Sequence, residues 1–391
     1  MAETDRTPAA DEARPDGIVA FACCRLVVPQ PGPQRVPDHA AARGRDAGAV
    51  GQQHRHANPA PGKTEVPFRK YARKIKSTLN GLRRDESGMW VLSPLFVPRY
   101  TERGLRANGR LLERQVRLAC RRIGIRRPAV WITVPTAADG IADEWRPVVF
   151  NRSDEFSAFP EVDRELIAGL ERRLLDRSDH VFYVNHELMA REEEATADAE
   201  YLGHGVDYEH FSQGDAMPEP AVLRDLPRPL IGFYGALDDY TIDLDLLIAT
   251  ARANPAATLL VIGPQQMALD RLTAEPNVTY LGPIPYEELP AYAARFDVGL
   301  MPWLDNEWIR RCNPIKLKEY LAVGFPVATT DFPELAPFRD LVHVGAGPEG
   351  FAAAVAAALA DPSTSTSRRS AVRDSSWDAI ATRAAQQLGV G

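Results

Sequence analysis

Short apolar runs recur along the chain at 17–23, 90–97, 129–134, 147–150, 180–185, 230–235, 258–263, 278–282, 297–302 and 326–329, most of them stopped by Gly, Pro, Asn or Asp. Uninterrupted runs of this length fit strands buried on both faces, as in parallel sheets. Between them lie stretches with a period near 3.6, at about 104–123, 164–175, 290–296, 314–323 and from 348, which predict helices. Strand and helix alternate in both halves, so the pattern predicts an α/β protein of two Rossmann-like domains with parallel sheets facing across a cleft. The boundaries follow the pattern. Residues 1–16 read as a disordered tail, 17–211 as the first domain, 212–227 as a linker with three prolines, 228–362 as the second domain, and 371–391 as a last helix after a polar Ser/Thr break at 363–370.

The pattern fails once. After the first apolar run, residues 25–61 are rich in Pro, Gln, Arg, Gly and His with neither periodicity, where a helix and a second strand belong. Two readings stand. One is a natural disordered insertion. The other is a shifted reading frame between about residues 25 and 60, since permissible GC-rich codons read one nucleotide later give an amphipathic helix over 27–42 and a strand over 45–58. The coding DNA decides between them, and as written the first domain is incomplete.

A net charge of −7 argues against a general nucleic-acid binder. Locally the balance reverses, because residues 69–127 hold seventeen Lys and Arg against four Asp and Glu. Within that region 68–84 predicts a basic helix with a sparse apolar stripe (Phe68, Tyr71, Ile75, Leu79, Leu82), suited either to packing on its own domain or to peripheral contact with an anionic membrane. Cysteines 23, 24, 120 and 312 have neither metal-ligand spacing nor a secreted disulfide pattern. That points to a reducing cytoplasm. No apolar run approaches a membrane span and the opening residues are unlike a signal peptide.

Candidate chemistry concentrates at 313–327. Asn313 suits a helix N-cap and Pro314 the first helical position, so a helix is expected to begin there and end before Gly324. Its opening turn offers unpaired N–H groups and the positive end of the dipole, and Lys316 adds a full charge. Glu319, three residues on, shares that face and can accept hydrogen bonds from sugar hydroxyls. A nucleoside diphosphate has this shape. The competing account is an amphipathic helix with solvated Lys and Glu.

The run Glu319-Tyr320-Leu321-Ala322-Val323-Gly324-Phe325-Pro326-Val327 resembles the donor-site signature of GT-B glycosyltransferases, especially the retaining enzymes with a late Glu-x-x-x-x-Gly-x-Pro-Val helix. The resemblance runs from about 90 to 377 and is strongest over 230–330. It implies that Glu319 binds the ribose of a nucleotide sugar, that the Gly235 turn receives the diphosphate, and that the turn at Pro283 and Ile284 holds the base. The Gly-Val-Asp-x-x-x-Phe at 205–211 matches the close of the family's first domain. Two family features are missing: Arg311 stands where many relatives carry a second glutamate, and Ala236-Leu237-Asp238-Asp239 replaces an Arg and a Lys that grip the pyrophosphate. Lys316 is then the candidate cation. The polar loop 151–155 lies at the carboxyl end of a predicted strand. Asp154 in it is the candidate catalytic residue near the reacting sugar, against the plainer reading of a helix cap.

Three functions follow. The first is a glycosyltransferase moving a sugar from a nucleoside-diphosphate donor to a cell-surface glycan or lipid-linked acceptor, retaining and without metal or other cofactor as the resemblance implies. Asp243-Leu-Asp245 matches an Asp-x-Asp metal pattern but falls at a predicted helix start, where capping accounts for it. The second is a nucleotide-sugar epimerase of the same architecture, which would need acid/base carboxylates and a His that the first domain does not cluster. The third is an impaired nucleotide-binding remnant, should 25–61 stand as written.

Overall fold

The computed structural model describes residues 15–22, 25–28, 81–84, 88–97, 101–159, 162–192, 194, 196 and 198–387. Among these, 15–202 and 381–387 form one compact unit and 203–380 another.

In the first unit the order is β1 (Gly17–Ala22), β2 (Arg25–Val28), β3 (Leu82–Arg84), β4 (Trp90–Leu92), α1 (Glu102–Ile123), β5 (Pro128–Ile132), β6 (Val148–Arg152), α2 (Arg164–Arg177), β7 (His180–Tyr183), α3 (His186–Glu192) and β8 (Ala199–Tyr201). Strands β1, β5, β6 and β7 pair in parallel, as the apolar runs predict, and β8, which no run announces, adds to them in parallel. The other edge, β3-β4-β2, is antiparallel throughout and joins the parallel part through β2 on β1. The expected parallel sheet is therefore present with an antiparallel margin, made of segments too short for a period to show.

Two expectations change here. The proposed helix over 68–84 does not reach its end, because Arg83 and its neighbours pair with β4 as a strand; residues 68–80 lie outside the described residues, as do most of the tail and 29–61. The strand expected over 90–97 stops at Leu92. Beyond it, Asn108 and Gln115 of α1 hold the backbone of Val97 and Leu95 through paired amide hydrogen bonds of 2.7–3.0 Å. Helix α1 starts at Thr101, whose hydroxyl accepts from Gly104 N–H, and buries Leu105, Val116, Ala119 and Cys120. Those side chains pack with Val19, Phe21, Val130 and Ile132 into the unit's core.

The second unit runs α4 (Tyr208–Ser212), β9 (Leu230–Tyr234), α5 (Leu244–Ala253), β10 (Thr258–Ile262), α6 (Asp270–Thr273), β11 (Val278–Gly282), α7 (Leu289–Ala293), β12 (Val298–Met301), α8 (Glu307–Arg310), α9 (Ile315–Val323), β13 (Val327–Thr329), β14 (His343–Val344), α10 (Gly347–Leu359) and α11 (Ser365–Arg373), and it takes the first turn of α12 (Trp377–Gln387), whose residues from Ala381 on belong to the first unit. Its sheet has the order β11-β10-β9-β12-β13-β14, parallel throughout. The chain leaves β9 toward β10 on one side and returns to β12 on the other. Ligands of open α/β sheets bind beyond the carboxyl ends at such a reversal, here where β9 runs into Gly235.

Helix α9 is the most enclosed. Seven of its nine residues are buried, Lys318 and Glu319 included, so its charged side chains need partners inside the protein. It ends at Gly324, whose φ of 99° favours glycine. The polar break expected at 363–370 is instead mostly helix α11. The reason is Arg368: only 1% exposed, it pairs with Asp361 and donates to the Gly324 carbonyl at 3.2 Å. Arg369 beside it donates twice to the Val323 carbonyl, at 2.6 and 3.0 Å. Two cations thus satisfy carbonyls that end α9, where the dipole is negative.

Candidate functional site

Of the candidate donor residues, Gly235 and Lys316 meet at the start of α9, with Asn313 just before the helix and Glu319 one turn along it. Among the described residues no side chain caps this helix; the cap position is Pro314. Asn313 is not the cap the sequence suggests. It is buried, and its amide donates to Glu334 Oε2 at 3.3 Å, a partner 21 residues away that no local pattern announces. The first turn of α9 therefore keeps the unmet donors of a helix start.

Lys316 lies in that turn, half-buried, with Nζ 4.4 Å from the centre of the Phe233 ring. Burial pushes its pKa down to about 8, against the opposing pull of the Glu319 and Asp238 carboxylates. Its ammonium sits directly against the turn after β9. A Cβ on Gly235 would lie 2.2 Å from Lys316 Nζ, and Gly235 has a φ of +147° that other residues rarely adopt. The backbone conformation favours glycine there, and the ammonium occupies the space that a side chain would take. Asp238, buried, accepts from the Thr241 N–H at 2.8 Å and the Thr241 hydroxyl at 2.6 Å.

Glu319 is 8% exposed and its Oε2 accepts from the Tyr234 hydroxyl at 3.1 Å. Tyr234 in turn donates its backbone N–H to the Tyr320 hydroxyl at 3.2 Å, and the two rings meet edge to face at 4.9 Å. Sequence reasoning missed Tyr234, which reads as one more apolar residue of a strand. The signal available was a hydroxyl-bearing ring immediately before the Gly235 turn. Pro283 is exposed and Ile284 half-buried in the turn after β11. That turn is pinned close by, where His210 Nε2 meets the Tyr286 carbonyl at 3.1 Å and the two rings stack at 4.9 Å. Asp243 accepts from the Asp245 and Leu246 N–H groups as the cap of α5, and Asp245 pairs with Arg271 at 2.8 Å. Among the described residues no group of three His, Cys, Asp or Glu is placed to hold a metal ion.

Asp154 belongs to the first unit, just past β6. It caps no helix: among the described residues its carboxylate accepts one hydrogen bond, from the adjoining Glu155 N–H at 3.1 Å, and the following long helix, α2, is capped by Asp163. Burial pushes Asp154 up to about 7, opposed by that N–H and by Arg152. Arg152, 1% exposed, pairs with Glu171 and, at 2.9 Å, with Glu192. Its guanidinium also donates to the Asp154 carbonyl at 2.9 Å, which ties the loop to the buried ion pairs. Among the described residues no helix is long and apolar enough to cross a membrane.

Residues 228–361 match the family described as Glycosyl transferases group 1. Over 264 residues the chain is 26% identical to TuaH of Bacillus subtilis strain 168, named for a glycosyltransferase role in teichuronic acid biosynthesis; the match covers 64% of this chain and 66% of that protein, just under two thirds of its length. Among solved structures, sucrose-phosphate synthase from Thermosynechococcus elongatus aligns with a TM-score of 0.61 at 16% identity, over 83% of this chain and 93% of that one. Anabaena Alr3699/HepE in complex with UDP aligns with a TM-score of 0.57 at 15% identity, over 71% and 82%, and the same protein is also known with UDP and glucose. These likenesses establish the fold, Rossmann-like α/β in each unit as in GT-B proteins, which the sequence predicts.

Proposed function

We propose that the chain is a glycosyltransferase that moves a sugar from a nucleoside-diphosphate donor to a cell-surface glycan or lipid-linked acceptor, with retention of anomeric configuration. The observation that carries this reading is the grouping of Lys316 and Glu319, one turn apart, on a helix start that no side chain caps and that adjoins Gly235. In this reading the diphosphate lies against the first-turn N–H groups of α9 and the Lys316 ammonium. Glu319 accepts the ribose hydroxyls, and the turn at Pro283 and Ile284 holds the base. The charge that grows on the departing diphosphate meets donors already in place, so little reorganisation is needed as the glycosidic bond breaks. Asp154 is the first unit's candidate near the reacting sugar.

The family match over 228–361 and the TuaH likeness favour transfer over epimerisation. UDP and UDP with glucose in the Anabaena protein make UDP-sugars the first donors to try. In this reading the protein works in the cytoplasm, and 68–84 is its candidate segment for peripheral contact with an anionic membrane. Calorimetry with UDP-, GDP- and ADP-sugars tests donor binding. Release of the nucleoside diphosphate that requires an added acceptor tests transfer; interconversion of donor isomers without acceptor would replace this reading with the epimerase.

A further inference from the structure

We propose that Tyr234 is a positioning residue that sets the preference for a ribose diol, by holding the Glu319 carboxylate in one orientation. The inference rests on the ribose reading of Glu319 and adds the group that makes that reading selective. Glu319 sits on a helix that is buried along most of its length, with Oε2 on the Tyr234 hydroxyl at 3.1 Å. The tyrosine itself has little freedom. Its N–H is fixed to the Tyr320 hydroxyl at 3.2 Å, its ring meets Tyr320 edge to face at 4.9 Å, and Phe211 stacks on it at 6.3 Å with the planes 9° apart.

Both neighbouring rings are fully buried, as is the strand that carries Tyr234. The hydroxyl is thus delivered to the carboxylate by a rigid frame. A donated O–H on one oxygen fixes the rotation of the carboxylate about its last bond, and so fixes where its remaining acceptor lone pairs point. A vicinal diol needs two acceptor directions at set angles, whereas a sugar lacking those hydroxyls is indifferent to them. Orientation of Glu319 should therefore appear in the discrimination between ribo- and dideoxyribonucleotides and not in the overall grip on the diphosphate. The tyrosine proton stays on its oxygen throughout, since burial and the facing Glu319 carboxylate both hold the phenol well above its ordinary range.

The test uses the full chain and calorimetric binding of UDP and 2′,3′-dideoxy-UDP to wild type, Tyr234→Phe, Glu319→Gln and the double variant. Wild type should prefer UDP, and Tyr234→Phe should cut that preference about tenfold, the scale of a hydrogen bond to a charged group, while dideoxy-UDP binds as before. In the Glu319→Gln background the second substitution should change the ratio little, because Tyr234 acts through Glu319. A merely structural role would weaken both ligands together and leave the ratio alone, which would overturn the proposal. A wild type that binds UDP and dideoxy-UDP alike removes the ribose reading itself, and this inference with it. Should Tyr234→Phe not fold, the double variant has no ionised carboxylate left without its donor, and an unchanged UDP preference between it and Glu319→Gln remains the required result.

Discussion

Replacing Lys316 by Met should stabilise the protein and abolish donor binding. The ammonium is half-buried over the Phe233 ring, and its pKa falls from 10.5 to about 8. At about 1.4 kcal/mol per tenfold, holding that charge costs the folded state about 3 kcal/mol at pH 7. The aromatic face beneath it and the remaining solvent return part of this. About 1–2 kcal/mol should remain as the gain in Lys316→Met, a rise in Tm of about 2–8 °C for a unit of this size. The sign follows from proton counts. Between about pH 8 and 10.5 the unfolded chain keeps the lysine proton that the folded chain has released, so wild-type stability rises with pH across that window. The advantage of the variant should thus shrink to about a quarter by pH 10. Scanning calorimetry of both proteins at pH 7 and 10, with titration of UDP-glucose at pH 7, reads all of this. A Tm at pH 7 no higher than wild type, or donor binding retained in the variant, would refute the reasoning that the charge is kept at a loss for the sake of an anion.

Glu319→Ala should weaken nucleoside-diphosphate binding by about 1.5–3 kcal/mol, measured by calorimetry; unchanged affinity would reject the ribose assignment. Gly235→Ala should push the Lys316 side chain from its place, since the new methyl would lie 2.2 Å from Nζ, and lower donor affinity at least about tenfold, with some loss of stability from the strained backbone at 235. Asp154→Asn should raise Tm at pH 8 and leave it nearly unchanged near pH 4. The folded carboxyl ionises only at about 7, so stability falls as pH climbs from the ordinary carboxyl range to 7 and stays low above it. A variant less stable than wild type at pH 8 would contradict this. Arg152→Met takes the cation from the buried Glu171 and the partly buried Glu192, and should cost about 3–5 kcal/mol in denaturant unfolding.

The sheet of the second unit was legible because each of its longer strands is an apolar run closed by a turn residue, as in 230–235 and 258–263. Lys316, Glu319 and Gly235 were legible because a helix start and a glycine turn leave local marks. What escaped was decided across the chain. Asn313 looks like a cap, yet its amide is taken by Glu334. Tyr234 hides in an apolar strand because its role depends on a carboxylate 85 residues away. The stretch 363–370 reads as a polar break because a fully buried arginine looks the same in sequence as a solvated one. At the antiparallel margin, β3 and β4 have three residues each, too few for any period to emerge.

A rod whose leading tip must stay open to a guest can be moored only at its stern. For α9 the mooring is Arg368 and Arg369, which grasp the trailing carbonyls at Gly324 and Val323, with Asp361 as the cleat for the first. Accuracy at the tip is thereby partly inherited from residues some fifty positions further along the chain. Changes at 361–369 that leave every donor-facing group intact should still blur how the guest is held.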